Sequence, residues 1–491
     1  MLVEACEHAA MSSPSTRLAT VGVLALGVIA GHRGVEAATV EAASCSQLDV
    51  QAAVERAAVD DTVTVPAGAC AWSEAVAWRN TNLQLLGAGA GQTVITCQAC
   101  LSITSDAMTS EFSRWRVSGF TFQGDAPSGT VVQIWDNVGP WKAGWRFDHN
   151  ELAFPGAGSG YGIFVGGVSY GLIDNNVFRW GNGLAIINVA QQADEYPATI
   201  TNLQGAYAAS LPLDMGTEKA LYIEDNRFES TAPGGCAAYD TSSGGGRAVF
   251  RHNEVVGCLY YSHWTRTLEI GGILHEIYRN RFVGNDAYRG YPIRLEAGTG
   301  AIFDNTSIGF DEHVAVLDER RGFVEADGEL GACDGSKAWD GNAGDAAAPG
   351  WPCLGQIGRA PGKTMAQLMA GDKQESAPLY FWNNGVEEGC HTGGACTDSM
   401  TASVYDGSPA AEAHVRATPH PNGEVDYVLS GGTPKPGYTP YAYPHPLRGE
   451  PLAAGEGDEG CGCRARGGGA SAWLVLVALG AVRRRRAGRA C

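Results

Sequence analysis

Apolar and polar positions recur along the chain in a short unit: an apolar residue, two variable positions, an asparagine, then often another apolar residue. The unit appears as Phe147-Asp148-His149-Asn150, Ile173-Asp174-Asn175-Asn176 and Ile223-Glu224-Asp225-Asn226. It returns as Phe250-Arg251-His252-Asn253, Ile277-Tyr278-Arg279-Asn280 and Ile302-Phe303-Asp304-Asn305. The asparagines lie 26, 50, 27, 27 and 25 residues apart, and the gap of 50 holds two units or one unit with a long insertion. A degenerate earlier copy, Trp115-Arg116-Val117-Ser118-Gly119-Phe120, places Gly119 31 residues before Asn150. Periods of this size mean stacked units, none able to bury its apolar side alone. Each unit reads as short strands broken by turns, without helical periodicity. Asn and Gly tolerate the left-handed backbone of a sharp corner, and the same Asn stacked coil on coil predicts a ladder of side-chain amides. Leucine-rich repeats have a similar period but need a leucine pattern that is absent. The prediction is an all-β chain, a right-handed, single-stranded parallel β-helix over 38–310. Leu48–Ala58 predicts an N-terminal capping helix, and Asp61-Thr62-Val63-Thr64-Val65-Pro66-Ala67-Gly68 the first strand and its turn.

Beyond residue 310 the period is lost and Gly, Pro and Cys become frequent. An open solenoid end is a sheet edge, so 311–450 is expected to form an irregular, disulfide-rich C-terminal cap. It includes the fragments Gln356-Ile357-Gly358-Arg359 and Phe381-Trp382-Asn383-Asn384. Residues 451–460 read as an acidic linker.

Both ends read as addresses. Residues 1–37 carry Arg17, a mostly apolar run Leu18–Ala30 and the small-residue site Val35-Glu36-Ala37, the order of a secretory signal. Residues 461–491 hold Cys461 and Cys463, a short apolar run Ala470–Val482 and Arg483–Arg486, too few apolar residues to span a bilayer comfortably. The chain has 14 cysteines. Ten lie in the body, as near neighbours: Cys45/Cys70, Cys97/Cys100, Cys236/Cys258, Cys333/Cys353 and Cys390/Cys396. An even number in an exported chain predicts disulfides, with neighbour pairing as one choice among many. Cys97-Gln-Ala-Cys100 has no second such pair or histidine pair beside it, so a loop staple is expected rather than zinc or redox chemistry.

Charge narrows the partners. The 491 residues carry a net charge of −19, and only six of the 34 basic residues are lysine. Nucleic-acid binding needs a basic face that releases counterions from phosphate, so no nucleic-acid partner is expected. A 44% apolar content excludes wholesale disorder, and the lack of a roughly 20-residue apolar stretch excludes a polytopic membrane protein.

The opening helix and strand and the Asn-ended coils resemble the pectate-lyase-like β-helix superfamily, over about Cys45 to Phe310. The C-terminal segment resembles the MYXO-CTERM sorting tag of myxobacterial surface proteins. That second resemblance implies export and sorting machinery as partners, tail removal, and a lipid anchor near Cys461 or Cys463. The protein would then sit on the outer membrane or exterior of a Gram-negative-type bacterium, as a monomer touching membrane only through its tag or anchor. A lone weak membrane anchor also places it outside the cytoplasm.

The first resemblance implies a polysaccharide groove along one sheet. Alternation in Thr267-Leu268-Glu269-Ile270 and Pro292-Ile293-Arg294-Leu295-Glu296 puts Leu268, Ile270, Ile293 and Leu295 inward. Glu269, Arg294 and Glu296 then project onto one face, with Asp240 one coil earlier and His263 and Arg266 just upstream. Cross-strand ion pairs on a solvated sheet, each worth about 0.2–1 kcal/mol, are one reading. The other is β-elimination on a uronate glycan, which needs a base and a sink for carboxylate charge. Arg294 would neutralise the carboxylate, His263 or an arginine such as Arg266 would remove the C5 proton, and Tyr261, Trp264, Glu269 and Glu296 would bind sugar. Asp240, Glu269 and Glu296 could alternatively hold Ca2+ for the same neutralisation. Trp145-Arg146-Phe147-Asp148-His149 is similar to the W-I-D-H of pectate lyases with one residue too many, and Arg289-Gly290-Tyr291-Pro292-Ile293-Arg294 to their R-x-P-x-x-R with Pro one place late. The hydrolase motifs of polygalacturonases are missing.

His149 and His252 stand in a turn column and His275 on the inward phase, so none is expected to be catalytic. Asp334, Asp340, Asn342 and Asp345 fit no EF-hand spacing. Trp135, Trp141 and Tyr260 are either sugar-stacking surface or core. Asn188–Thr217 is expected to form a long loop walling the groove. The expected function is a surface-attached polysaccharide lyase, with a non-catalytic glycan-binding or adhesive module as the rival.

Overall fold

The computed structural model describes residues 37–105, 113–126, 128–136, 142–191, 205–241, 244–263, 269–317, 353–387, 401–404, 415–420 and 422–449. Three long sheets, of twelve, ten and ten described strands, run the length of a right-handed parallel β-helix. We call them A, B and C. Each coil contributes one strand to each in turn, as Lys142–Asp148, Glu151–Phe154 and Tyr161–Gly167 do. Every pairing along these sheets is parallel, for example Phe147↔Ile173 and Ile173↔Ile223 in sheet A.

The asparagine ladder sits at the corner between sheets A and B. The Oδ1 of Asn176 accepts from Asn150 N at 2.9 Å, and that of Asn226 from Asn176 N at 3.0 Å. The row continues through Asn253, Asn280, Asn305 and Asn384. Each amide also donates to a carbonyl one coil back, as Asn176 does to Phe147 at 3.0 Å. Every side chain thus satisfies two buried backbone groups that a sharp corner would otherwise orphan. The left-handed residue is the one before each asparagine: His149, Asn175, Asp225, His252, Arg279, Asp304 and Asn383 have φ of 53–56°. Gly119 belongs to that column, because Ser118 pairs with Asp148 and Phe120 N donates to Asn150 Oδ1. Its sequence alignment with Asn150 was therefore one place off. The direct Asn176–Asn226 bond settles the gap of 50 as one coil with an insertion.

Inside the bore, like residues stack on like. Trp115 lies 4.9 Å from Trp145, Phe178 4.8 Å from Phe228, and Tyr239 4.6 Å from Tyr260, all nearly parallel. Offset aromatic pairs of this kind add about 0.5–1.5 kcal/mol each beyond burial. The helix Gln47–Arg56 closes the N-terminal end, capped by Ser46, whose hydroxyl accepts from Asp49 N at 3.2 Å. It buries Val50, Ala53 and Val54, while Leu48 is 77% exposed. Cys45–Cys70, Cys97–Cys100 and Cys236–Cys258 pair as neighbours. Cys353 is disulfide-bonded; Cys333, Cys390, Cys396, Cys461 and Cys463 lie outside the described residues, as do both address segments.

The solenoid does not stop at residue 310. Val314–Leu317 extends sheet C, Leu379–Trp382 sheet A, Gly385–Val386 sheet B, and Thr401–Val404 and Tyr427–Leu429 add further strands. Phe381-Trp382-Asn383-Asn384 is a seventh copy of the repeat, hidden from the sequence by the 79 residues that separate Asn384 from Asn305. The expected irregular cap is thus coils with long insertions. Around the last strand of sheet A, Asp426 is fully buried and receives His420 Nε2 at 2.7 Å and Arg416 N at 2.9 Å.

From there the chain turns back as a strap, 433–449, across the outer face of sheet A. Asp148, Asp174, Glu224 and Arg251 follow one another in register on that face, the last three beneath the strap. Arg251 reaches Glu224 at 2.6 Å and donates to the carbonyls of Tyr441 and Ala442 at 2.8 and 2.7 Å. Tyr438 donates to Glu276, Tyr443 stacks on His252 at 3.7 Å, and Arg448 meets Glu224 at 2.8 Å and Asp225.

Candidate functional site

Sheet C keeps an outer face of its own. On its strands Cys236–Asp240, Cys258–Ser262 and Ile293–Leu295, the residues Tyr239, Tyr260 and Ile293 pair in a row that points into the core. Their neighbours Asp240, Tyr261 and Arg294 therefore point outward, and His263 and Glu296, two places on from Tyr261 and Arg294, share that face. Tyr260 is fully buried, so it is core and not sugar-binding surface.

Two interlocked clusters result. His263 Nδ1 lies 2.8 Å from Asp240 Oδ1. Donating Nδ1–H to the carboxylate leaves the imidazole lone pair on Nε2, the arrangement in which a carboxylate orients a histidine base. Beside it, Arg294 Nε lies 2.9 Å from Glu296 Oε1, which also accepts from the Tyr261 hydroxyl at 2.9 Å. The guanidinium sits 5.5 Å over the Tyr261 ring, and that ring is 4.4 Å from His263. Side-chain exposure falls from 22% at His263 and 15% at Arg294 to none at Glu296. The base and the cation therefore reach the surface while a buried acid holds the cation in place.

A polar row inside the bore supports this face. His275 Nδ1 lies 2.8 Å from the Tyr260 hydroxyl and its Nε2 3.2 Å from Ser262 Oγ, which is 3.1 Å from Thr241 Oγ1. Burial pushes the His275 pKa down to about 3, so it is a neutral interior hydrogen-bonding group, as its inward phase predicts. Ser262 separates Tyr261 from His263, and Thr241 follows Asp240, so the row fixes the strands that carry the cluster.

The structure corrects the placement of Glu269. The strand that pairs with Arg294 is Cys258–Ser262, with Tyr261 opposite Arg294, and not Thr267–Ile270. Glu269 follows that strand, and Ile270 packs outside the bore with Val168, Tyr170 and Leu354 instead of pointing into it. Trp264, Arg266 and Leu268 lie outside the described residues, as do Trp141, Asp334, Asp340, Asn342 and Asp345. Asp240, with His263, and Glu296, with Arg294 and Tyr261, have separate partners. Among the described residues no three His, Cys, Asp or Glu side chains group as a metal site, so no step below passes through calcium. Asn188 belongs not to a loop but to the strand Ala185–Ala190, paired with Asp240. It, Gln133 and Phe164 complete the outward column, which sequence reading missed.

No family model matches the sequence, and no curated protein matches it. Among solved structures, a PL6 family polysaccharide lyase from Pseudopedobacter saltans is similar at 15% identity and a TM-score of 0.38, over 82% of this chain and 94% of that one. The catalytic domain of a GH87 alpha-1,3-glucanase, solved with nigerose, is similar at 10% identity and a TM-score of 0.32, over 77% and 68%. Neither similarity bears on the chemistry of the sheet C face.

Proposed function

We propose that this is an exported, surface-anchored, carbohydrate-active protein that cleaves a uronate-containing glycan by β-elimination on the outer face of sheet C. The observation that carries the reading is the Asp240–His263 pair set beside Arg294 and Tyr261 on one accessible face. His263 Nε2 takes the C5 proton while Arg294 faces the uronate carboxylate and lowers the cost of charge at C5. The C5–H electron pair becomes the C4=C5 double bond, the C4–O bond breaks, and the departing oxygen takes a proton from solvent. Export and anchoring rest on the two terminal segments, and a monomer on the absence of any requirement for a second copy in this scheme.

The test is ultraviolet absorbance of the unsaturated uronate on pectic, alginate and glycosaminoglycan polymers, beside His263→Ala and Arg294→Ala. A signal abolished in both variants supports the lyase; a signal that survives both overturns it. Calcium dependence belongs to the proposal only as an outcome of that assay. One observation favours a non-catalytic glycan-binding module instead: Arg294 is already paired with Glu296, so a substrate carboxylate must compete with it. Silence across the polymers with binding retained selects that module.

A further inference from the structure

We propose that Trp135, Phe164 and Tyr161 form a sugar-stacking platform at the N-terminal end of the sheet C face, and that it sets a minimum length for the glycan held there. The inference rests on the glycan reading of this face but not on elimination. Trp135 and Phe164 stack with centroids 5.5 Å apart and planes 20° apart, and Tyr161 lies 6.0 Å from Phe164. All three are half-buried. The bore beneath them is already filled by the buried Ile134, Ile163 and Val165, so these rings are not spent on the core. Trp135 pairs across the sheet with Gly166. A Cβ there would fall 2.4 Å from Trp135 Cε3 and 3.0 Å from Phe164 Cε1. Only a glycine lets the indole lie along the sheet, where it presents a broad aromatic surface.

The platform has polar company suited to a sugar. Gln133, half-buried and paired with Phe164 in the outward column, is the polar side chain beside the rings. A pyranose has one apolar ring face to stack and hydroxyls at its rim that need donors and acceptors beside it. From the Trp135 strand to the strand preceding His263 the sheet order gives four steps. At about 4.8 Å per step that is roughly 19 Å, or about five sugar units with one at each strand. A chain that engages both His263 and Trp135 must be at least that long.

The full secreted protein is titrated calorimetrically with galacturonate and with mannuronate–guluronate oligomers from dimer to heptamer. Affinity is expected to rise once the oligomer reaches about five units, and Trp135→Ala to weaken the longer oligomers about tenfold with a far smaller effect on the dimer. Phe164→Ser, with its melting temperature checked, repeats the test on the second ring. Long oligomers that bind both variants as tightly as the unmodified protein overturn the platform alone. If no oligomer binds the unmodified protein, the glycan reading of the face falls and the platform with it.

Discussion

Sheets A and C are two faces of the same solenoid, built from the same coils, yet the charged column of one is sealed and that of the other brings His263 and Arg294 to solvent. On sheet A the outward column Asp148, Asp174, Glu224 and Arg251 is wholly buried, and the strap contacts Asp174, Glu224 and Arg251. On sheet C the column Asn188, Asp240, Tyr261 and Arg294 ends in side chains that still reach solvent. Charge alone does not distinguish them, since both carry acids and arginines. What differs is the completeness of pairing: under the strap, backbone carbonyls, ring faces and counter-charges meet Arg251 on every side. A charge so enclosed holds structure together, whereas a charge that still reaches the surface, as Arg294 does at 15% exposure, can meet a ligand. The aromatic residues divide in the same way. Tyr278, Phe303 and Trp382 stack at 4.5 and 4.3 Å under Tyr438, while Trp135 and Phe164 stack half in the open.

The comparison breaks most directly at Arg251. Arg251→Met leaves Glu224 buried with less compensation and should cost about 3–5 kcal/mol, read by urea unfolding. Protease cleavage within 433–449 should rise with it, while the sheet C cluster keeps its activity. Equal loss of activity would show that the two faces are not independent.

Acid should act on the same face next. Burial lowers the His445 pKa to about 3 and the His252 pKa to about 4. Both are neutral when the strap is seated, against arginines at 251 and 448 for each, Arg146 for His445, and Asp225 and Arg279 for His252. The unfolded chain binds these protons more readily, so their contribution is full above pH about 6.5 and is lost as pH falls towards 4 and below, by about 2 kcal/mol or more. Strap proteolysis followed against pH checks this, and His252→Asn with His445→Asn should flatten the profile.

Asn226→Ala removes a ladder amide at the corner between sheets A and B. It should destabilise by about 1–3 kcal/mol and raise hydrogen exchange in sheets A and B around Ile223 and Phe228, without preference for the strap. The smallest effect on stability is expected on the open face: His263→Ala should cost about 1 kcal/mol or less, while abolishing any elimination. A large stability loss there would place His263 with the structural charges of sheet A.

The repeat was legible because each ladder asparagine sits where the backbone must turn, and a corner tolerates few residues. The turn column was legible for the same reason, and His149 and His252 take its left-handed conformation. The copy at Asn384 escaped because nothing in sequence distinguishes an inserted excursion from the end of a solenoid. The site was half legible. Alternation put Arg294 outward and Ile293 inward, and the structure agrees. The same alternation applied to Thr267–Ile270 failed, because a two-residue period says which face a residue takes but not whether the segment is the strand that pairs.

By itself, then, the sequence determined the solenoid, its ladder corner and its capping helix, while the pairing of Cys45–Cys70, Cys97–Cys100 and Cys236–Cys258 was one choice among many until the structure showed it. The first three are local choices repeated at fixed spacing, and spacing survives in one dimension. Only the tertiary structure decided that Tyr261 stands opposite Arg294, that Asp240 orients His263, and that the C-terminal strap covers sheet A while His263 and Arg294 reach solvent on sheet C. Those contacts join residues separated by insertions of variable length, and register across an insertion is set by packing, which no local pattern records.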